Sequence, residues 1–339
     1  MQTFATAKKD LFPDATSRRI FSLIKGEMSL VEQEFERQAS SNIQVINYLG
    51  DYLRSSGGKR VRPALLILSG YAVGGRGDAE NVIRLATVME MLHTATLVHD
   101  DIIDNADLRR NRPSVNSRFG NQTAVLMGDW LYMTAFESSL RERSLEILDI
   151  LTRLTRKMTE GELIQLTMLG NSEITEEEYF DILKRKTAFL FSGCCEIGAI
   201  LGGAPPAVQI AMREFGMNLG IAFQLADDLL DITSDDRSLG KAAGADLLEG
   251  KLTLPLIRLV ASEPEICDIL DRIMLEGEYS EGSRTRIRQG LERHEIYASI
   301  RDTARSYADG AIKNLDILPV SEYRDALGEI PRYVVERSK

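Results

Sequence analysis

Two short acidic runs along the 339-residue chain are built to do chemistry: Asp100-Asp101-Ile102-Ile103-Asp104 and Asp227-Asp228-Leu229-Leu230-Asp231. In each, the first and last aspartates are four residues apart. On a helix, side chains at i and i+4 share a face, with Cβ atoms about 5–6 Å apart. Like charges so placed weaken the helix unless a cation sits between them. Carboxylate oxygens suit a hard ion such as Mg²⁺, which keeps several waters and shares phosphate oxygens with a substrate. A single run of this kind is commonly a solvated helix face. Here both runs follow apolar stretches, Leu97-Val98 and Gly220-Ile221-Ala222-Phe223, where a solvated face has no place. Two copies in such settings indicate two facing metal-binding edges.

A metal-bound diphosphate carries charge beyond what the metal neutralises, and the chain offers cations for it. Gly57-Gly58-Lys59-Arg60-Val61-Arg62-Pro63 sets three of them just before a helix start, where backbone N–H groups favour anions. Arg109 and Arg110 follow the first acidic run. Lys186-Thr187 lies in a helical stretch, and Lys241 and Lys251 flank a glycine-rich segment after the second run. His93 precedes Asp100 by seven residues, which leaves the two side chains only ~20° apart around a helix axis. Taken singly, each is more often a surface charge or a structural histidine; the glycine-flanked cluster is the stronger signal.

The elements that must position these residues read as helices. Period-2 alternation with β-branched enrichment is scarce. Arg62-Pro63 starts a helix that should stop at Gly74-Gly75. The next should run from Asp78 or Ala79 to about Asp107. Further helices are expected over 122–141, 144–169, 175–202, 206–233, 254–262, 265–276, 280–292 and 295–316. Thr175-Glu176-Glu177-Glu178 has the form of a capping box. No linker or repeat divides the chain, so one all-α domain over 1–339 is expected, with 1–20 loosely ordered.

Composition narrows the function classes. The chain is 44% hydrophobic, ample for a large core, and its 41 basic against 51 acidic side chains give a net charge of −10. That balance disfavours nucleic acid, whose binding rests on phosphate neutralisation. Of three cysteines, Cys194 and Cys195 are adjacent, with Cα atoms ~3.8 Å apart, below the span of an ordinary disulfide. Such usage fits a reducing cytoplasm. The first ten residues lack the apolar core of a secretory leader. The most apolar stretch, 189–208, contains Glu196 and Pro205-Pro206 and reads as a buried helix pair, with peripheral membrane contact at most.

The motifs taken together resemble those of the trans-isoprenyl (polyprenyl) diphosphate synthases, most closely the bacterial octaprenyl-forming members. GGKRVRP at 57–63, HDDIIDNADLRRNRP at 99–113, GELIQL at 161–166, KT at 186–187, FQLADDLLD at 223–231 and GKAAGADLLEGKLTLP at 240–255 follow the family's order. The likeness spans nearly the whole chain from about residue 20. It implies an all-α helical bundle around a deep central cavity, acting as a homodimer. It implies that Asp100, Asp104, Asp227 and Asp231 hold Mg²⁺, three ions per site, with Asp101 and Asp228 assisting. Arg109, Lys186, Thr187, Gln224 and Lys241 would contact an allylic diphosphate of farnesyl or geranyl type. Lys59, Arg62, His93 and Arg110 would hold isopentenyl diphosphate, and Lys251 would help close the site. Asn111 and Ala242 depart from the family's usual glycine and proline; neither removes a ligand.

The implied reaction needs no serine or cysteine nucleophile. Fixed charge draws a diphosphate away, an allylic cation forms, the isopentenyl double bond attacks it, and a proton is lost. Water must be kept out, and 232–253 is the natural lid. Family resemblance sets product length at Ala95 and Thr96, neither of them aromatic, so products past the short-chain range are expected. Terpene cyclases and head-to-head synthases share the ionisation step; a cyclase does not need the second diphosphate site that Lys59, Arg62 and Arg110 supply. A non-catalytic partner subunit would more often have lost metal ligands, whereas all six aspartates are present.

Overall fold

A computed structural model describes residues 15–55, 60–110, 112–233 and 244–336. Three helices come first: α1 (Ala15–Leu23), α2 (Lys25–Gln38) and α3 (Gln44–Ser55). Then come α4 (Val61–Ala72) and the long α5 (Glu80–Ile103). A two-residue hairpin, β1 (Leu108–Arg109) and β2 (Arg112–Pro113), is the only sheet among the described residues. It leads into α6 (Val115–Phe119), α7 (Asn121–Ser139) and α8 (Leu145–Thr167). Next, α9 (Glu176–Leu183) passes through a π-turn at Lys184–Ala188 into α10 (Phe189–Leu201), and α11 follows (Pro206–Thr233). The remainder is α12 (Ala245–Leu248), α13 (Leu254–Ser262), α14 (Cys267–Glu276), α15 (Glu281–Arg293), α16 (Ile296–Asn314) and α17 (Glu322–Glu336).

Most of the expected helices form within a few residues of the expected ends. Thr175 and Glu178 do make a reciprocal capping box. One boundary differs. The helix expected to reach Asp107 ends at Ile103, because Asp104 caps it and Asn105 turns left-handed at φ 50°, a conformation asparagine tolerates. The chain then reverses through the hairpin, with Arg110 also left-handed at φ 54°. That reversal turns Arg109 back toward the aspartates. Helices α1–α3 and α17 were not expected; α17 continues through Pro331.

Two apolar clusters form the interior. One gathers α2, α4, α5, α7, α8 and α10; the other gathers α9 and α12–α16. Helix α11 serves both, giving Met212, Phe215 and Leu219 to the first and Ile221, Leu225 and Leu229 to the second. The apolar stretch at 189–208 becomes α10 and the start of α11. Its Cys194 and Cys195 are free thiols and fully buried. At the α4–α10 crossing a Cβ on Gly198 would lie 2.3 Å from the Leu66 carbonyl oxygen, so only glycine permits that approach. No helix among the described residues is long and apolar enough to cross a membrane.

Candidate active site

The acidic runs occupy the C-terminal ends of α5 and α11. In both, the second aspartate is buried, Asp101 at 2% and Asp228 at 3% exposure. Each serves as an internal anchor. Asp101 accepts from Arg109 Nε at 2.6 Å, and its backbone carbonyl accepts from Ala106 N at 2.9 Å and Asn116 Nδ2 at 3.1 Å. Asp228 accepts from the Tyr179 hydroxyl on one oxygen and from Gln224 Nε2, at 2.8 Å, on the other. The Thr187 hydroxyl donates to Gln224 Oε1 at 2.9 Å.

The outer aspartates are less enclosed and electrostatically crowded. Burial, and then the nearby Glu162 carboxylate, push Asp100 up to about 7. Burial, and then Asp246, push Asp231 upward too. Asp231 also accepts from the backbone N–H groups of Ala245 and Asp246, at 3.2 and 3.4 Å, capping α12. Lys251, just beyond α12, reaches Asp104 Oδ1 at 2.9 Å and Glu249 at 2.8 Å. One short segment, 244–251, therefore touches the last aspartate of both runs, through Asp231 at its start and Asp104 at Lys251. Lys186, in the π-turn, pairs with Glu162 at 2.7 Å and also donates to Gln165. Glycine at 161 allows this, since a Cβ there would lie 2.6 Å from Arg185 Cβ.

The basic residues gather beside α5. The half-buried Arg62 lies over the Phe191 ring, 5.0 Å from its centroid, and its buried Nε meets no hydrogen-bond partner among the described residues. A buried unpartnered guanidinium N–H is costly and asks for an acceptor. Burial and the charges of Arg62, Arg110, Arg109 and Arg60 hold the His93 imidazole well below its usual pKa, so it is neutral at pH 7. Arg60 differs from its neighbours. It is clamped by Glu32 at 2.6 Å and by the buried Glu90 at 2.7 Å, so it braces the wall. A narrow cleft beside it is lined by Phe35, Thr94, Leu97, Arg109 and Arg110. A broader surface recess at Arg258, His294, Ser299 and Thr303 holds none of the expected residues.

Of the expected residues, Lys59 and Lys241 lie outside the described residues, as do Asn111 and Ala242. Of the two positions expected to gate product length, Ala95 is fully enclosed, with no water-sized space beside it, while Thr96 keeps partial exposure. Thr96 is one turn before Asp100 and shares its face. Sequence reading missed Glu32, Glu90, Tyr179 and the roles of Glu162 and Gln165. The last two stand in the quoted GELIQL run; the others carry no local signal.

The donor set fits a hard divalent ion. Among the described residues no three ligating side chains form a closed cage. Mg²⁺ does not need one, because it takes one or two carboxylates and completes its shell with phosphate and water. Burial and neighbouring carboxylates raise the pKa values of Asp100 and Asp231, so a cation placed beside either would be favoured. Two acidic edges on α5 and α11, with basic residues beside them, make one charged polar site at the ends of these helices.

Comparison with known proteins agrees. The polyprenyl synthetase family model matches residues 43–289. The chain is 37% identical over 325 residues to octaprenyl diphosphate synthase of Escherichia coli (strain K12), covering 95% of this chain and 99% of that one. It is 35% identical to the Haemophilus influenzae octaprenyl diphosphate synthase, covering 94% and 96%. Among solved structures, a Caulobacter crescentus CB15 polyprenyl synthase complexed with calcium and isoprenyl diphosphate superposes with a TM-score of 0.88 at 35% identity, covering 95% and 98%. A Rhodobacter capsulatus decaprenyl diphosphate synthase gives 0.89 at 34%, covering 95% and 99%. The chain belongs to the polyprenyl synthetase family and is a chain-elongating prenyltransferase.

Proposed function

We propose that the chain is one all-α catalytic domain that condenses isopentenyl diphosphate head-to-tail and trans onto a farnesyl- or geranyl-type diphosphate, repeatedly, to an octaprenyl-range product. The observation that carries this reading is the pair of aspartate edges on α5 and α11, with Arg62, whose buried Nε has no acceptor among the described residues, within reach of the charge of Asp227. Asp100, Asp104, Asp227 and Asp231 would hold Mg²⁺, three ions in the full site. Bound Mg²⁺ would draw off charge from the departing diphosphate.

The side chains divide the remaining work. Arg109, Lys186 and Lys241 neutralise the allylic diphosphate, beside Thr187 and Gln224. The C1–O bond breaks and its electron pair leaves with the diphosphate. Lys59, Arg62, His93 and Arg110 hold the second diphosphate so that the isopentenyl double bond reaches C1. The new C–C bond forms, and a proton passes from the adjacent carbon to the released diphosphate. Lys251 and the 244–251 segment keep water away from the cation.

Helix α7 supports a homodimer. Leu126 and Met133, seven residues apart, are 68% and 63% exposed, and Val125 is 41% exposed. His99, next to Asp100, contacts the Val125 carbonyl at 3.1 Å, so such an interface would lie directly behind the metal edge. The test is incubation of the purified protein with Mg²⁺, farnesyl diphosphate and labelled isopentenyl diphosphate. A product ladder ending near eight isoprene units is expected. Unlabelled cyclic hydrocarbons would instead identify a cyclase, and no product with any primer a non-catalytic subunit.

A further inference from the structure

One polar chain, buried at its Tyr179–Asp228 end, stands behind the chemistry described above. It begins at Tyr179 on α9, 6% exposed, whose hydroxyl donates to Asp228 Oδ2. The other oxygen of that carboxylate accepts from Gln224 Nε2 at 2.8 Å, and Gln224 Oε1 accepts from the Thr187 hydroxyl at 2.9 Å. The two ends of a glutamine amide are alike in shape and opposite in hydrogen-bonding sense. Here the geometry fixes the orientation: Asp228 Oδ1 takes the amide nitrogen, so the amide oxygen faces Thr187 and receives its proton. Asp228 is itself held from behind by Tyr179. Helix α9 is a firm base, because Arg258 grips Glu176 through two bonds of 3.0 and 3.2 Å, and Phe180 packs edge-on against Tyr179 at 5.4 Å.

We infer that Tyr179 is a positioning residue for the allylic end of the site. By holding Asp228 it locks the sense of the Gln224 amide and the direction of the Thr187 hydroxyl, so both are set before substrate arrives. This rests on the reading of Thr187 and Gln224 as allylic-substrate contacts. Without the phenol, Asp228 Oδ2 loses a donor, the carboxylate can rotate, and Gln224 samples both orientations.

Tyr179→Phe keeps the ring and removes only the hydroxyl. With Mg²⁺ and no second substrate, calorimetry should show affinity for farnesyl diphosphate falling about tenfold, while affinity for isopentenyl diphosphate changes less than about twofold; the KM values should split the same way. Asp228→Asn, with the tyrosine intact, should give the same selective loss. In a Gln224→Leu background Tyr179→Phe should cost nothing further, because its effect passes through that amide. Equal weakening of both substrates, no weakening of either, or full additivity in the double variant would overturn the inference. A wild-type protein that makes no polyprenyl product overturns the proposed function instead, and the affinity comparison still decides the role of Tyr179.

Discussion

The two acidic runs share a pattern and differ in their support. At the end of α5, buried Asp101 is balanced by a cation, Arg109, brought back by the hairpin. Within α11, buried Asp228 is balanced by neutral donors, Tyr179 and Gln224. The first arrangement ties the proposed metal edge to the proposed substrate cation Arg109, so charge and position move together. The second ties its edge to a side-chain relay that holds position without adding positive charge. Identical motifs thus need not be interchangeable: one is anchored electrostatically, the other through directed hydrogen bonds.

The largest expected effect tests what the runs share. Asp100→Ala and Asp227→Ala should each lower incorporation of labelled isopentenyl diphosphate by about a thousandfold, the scale of losing preorganised charge stabilisation. Removing the anchors should separate the runs. Asp228→Leu leaves the Tyr179 and Gln224 donors without their acceptor and should cost about 1–3 kcal/mol in urea unfolding. Asp101→Asn at the more open pair, where Arg109 is 34% exposed, should cost about 1 kcal/mol and raise KM for the allylic substrate. Equal costs would erase the distinction.

Acidity offers a gentler probe. The Asp100 carboxyl titrates near 7 in the folded chain against 3.8 ordinarily, so between those values the folded state binds the extra proton. Metal-free protein should therefore gain stability from this group as pH falls from about 7 toward 4, and lose it as pH rises through 7. Thermal melts of wild type and Asp100→Asn at pH 8 and 6 check this: the variant should lack that component. The smallest effect on rate and the clearest on product should come from Thr96→Phe. Its ring would enter the face shared with Asp100 and shorten the products toward farnesyl length. Ala95→Phe, in a fully packed position, should instead destabilise the fold by about 1–3 kcal/mol. Chain-length analysis of both variants would show whether Thr96 or Ala95 sets the limit.

Much of this molecule was legible in its sequence because local physics wrote it there. The Thr175–Glu178 box and the runs of helical periodicity each carry their meaning within a few residues. The end of α5 was misjudged because Asn105 yields to a hairpin whose role is to return Arg109. Arg60 looked like one more phosphate ligand; its partners, Glu32 and Glu90, are 28 and 30 residues away. Tyr179 meets Asp228 across 49 residues, and no periodicity announces such a pairing. What stayed hidden was the set of contacts created only when helices cross.

The π-turn at Lys184–Ala188 fixes a phase. It sets α9 and α10 at an angular offset that an uninterrupted α-helix would not have. Each helical residue advances the chain by about 100°, so deleting one residue from 184–188 would rotate α9 by that amount relative to α10. Tyr179 would then face away from α11 while Phe189–Leu201 stayed in register with the core. This one turn thus serves as the vernier by which one helix is aimed at another.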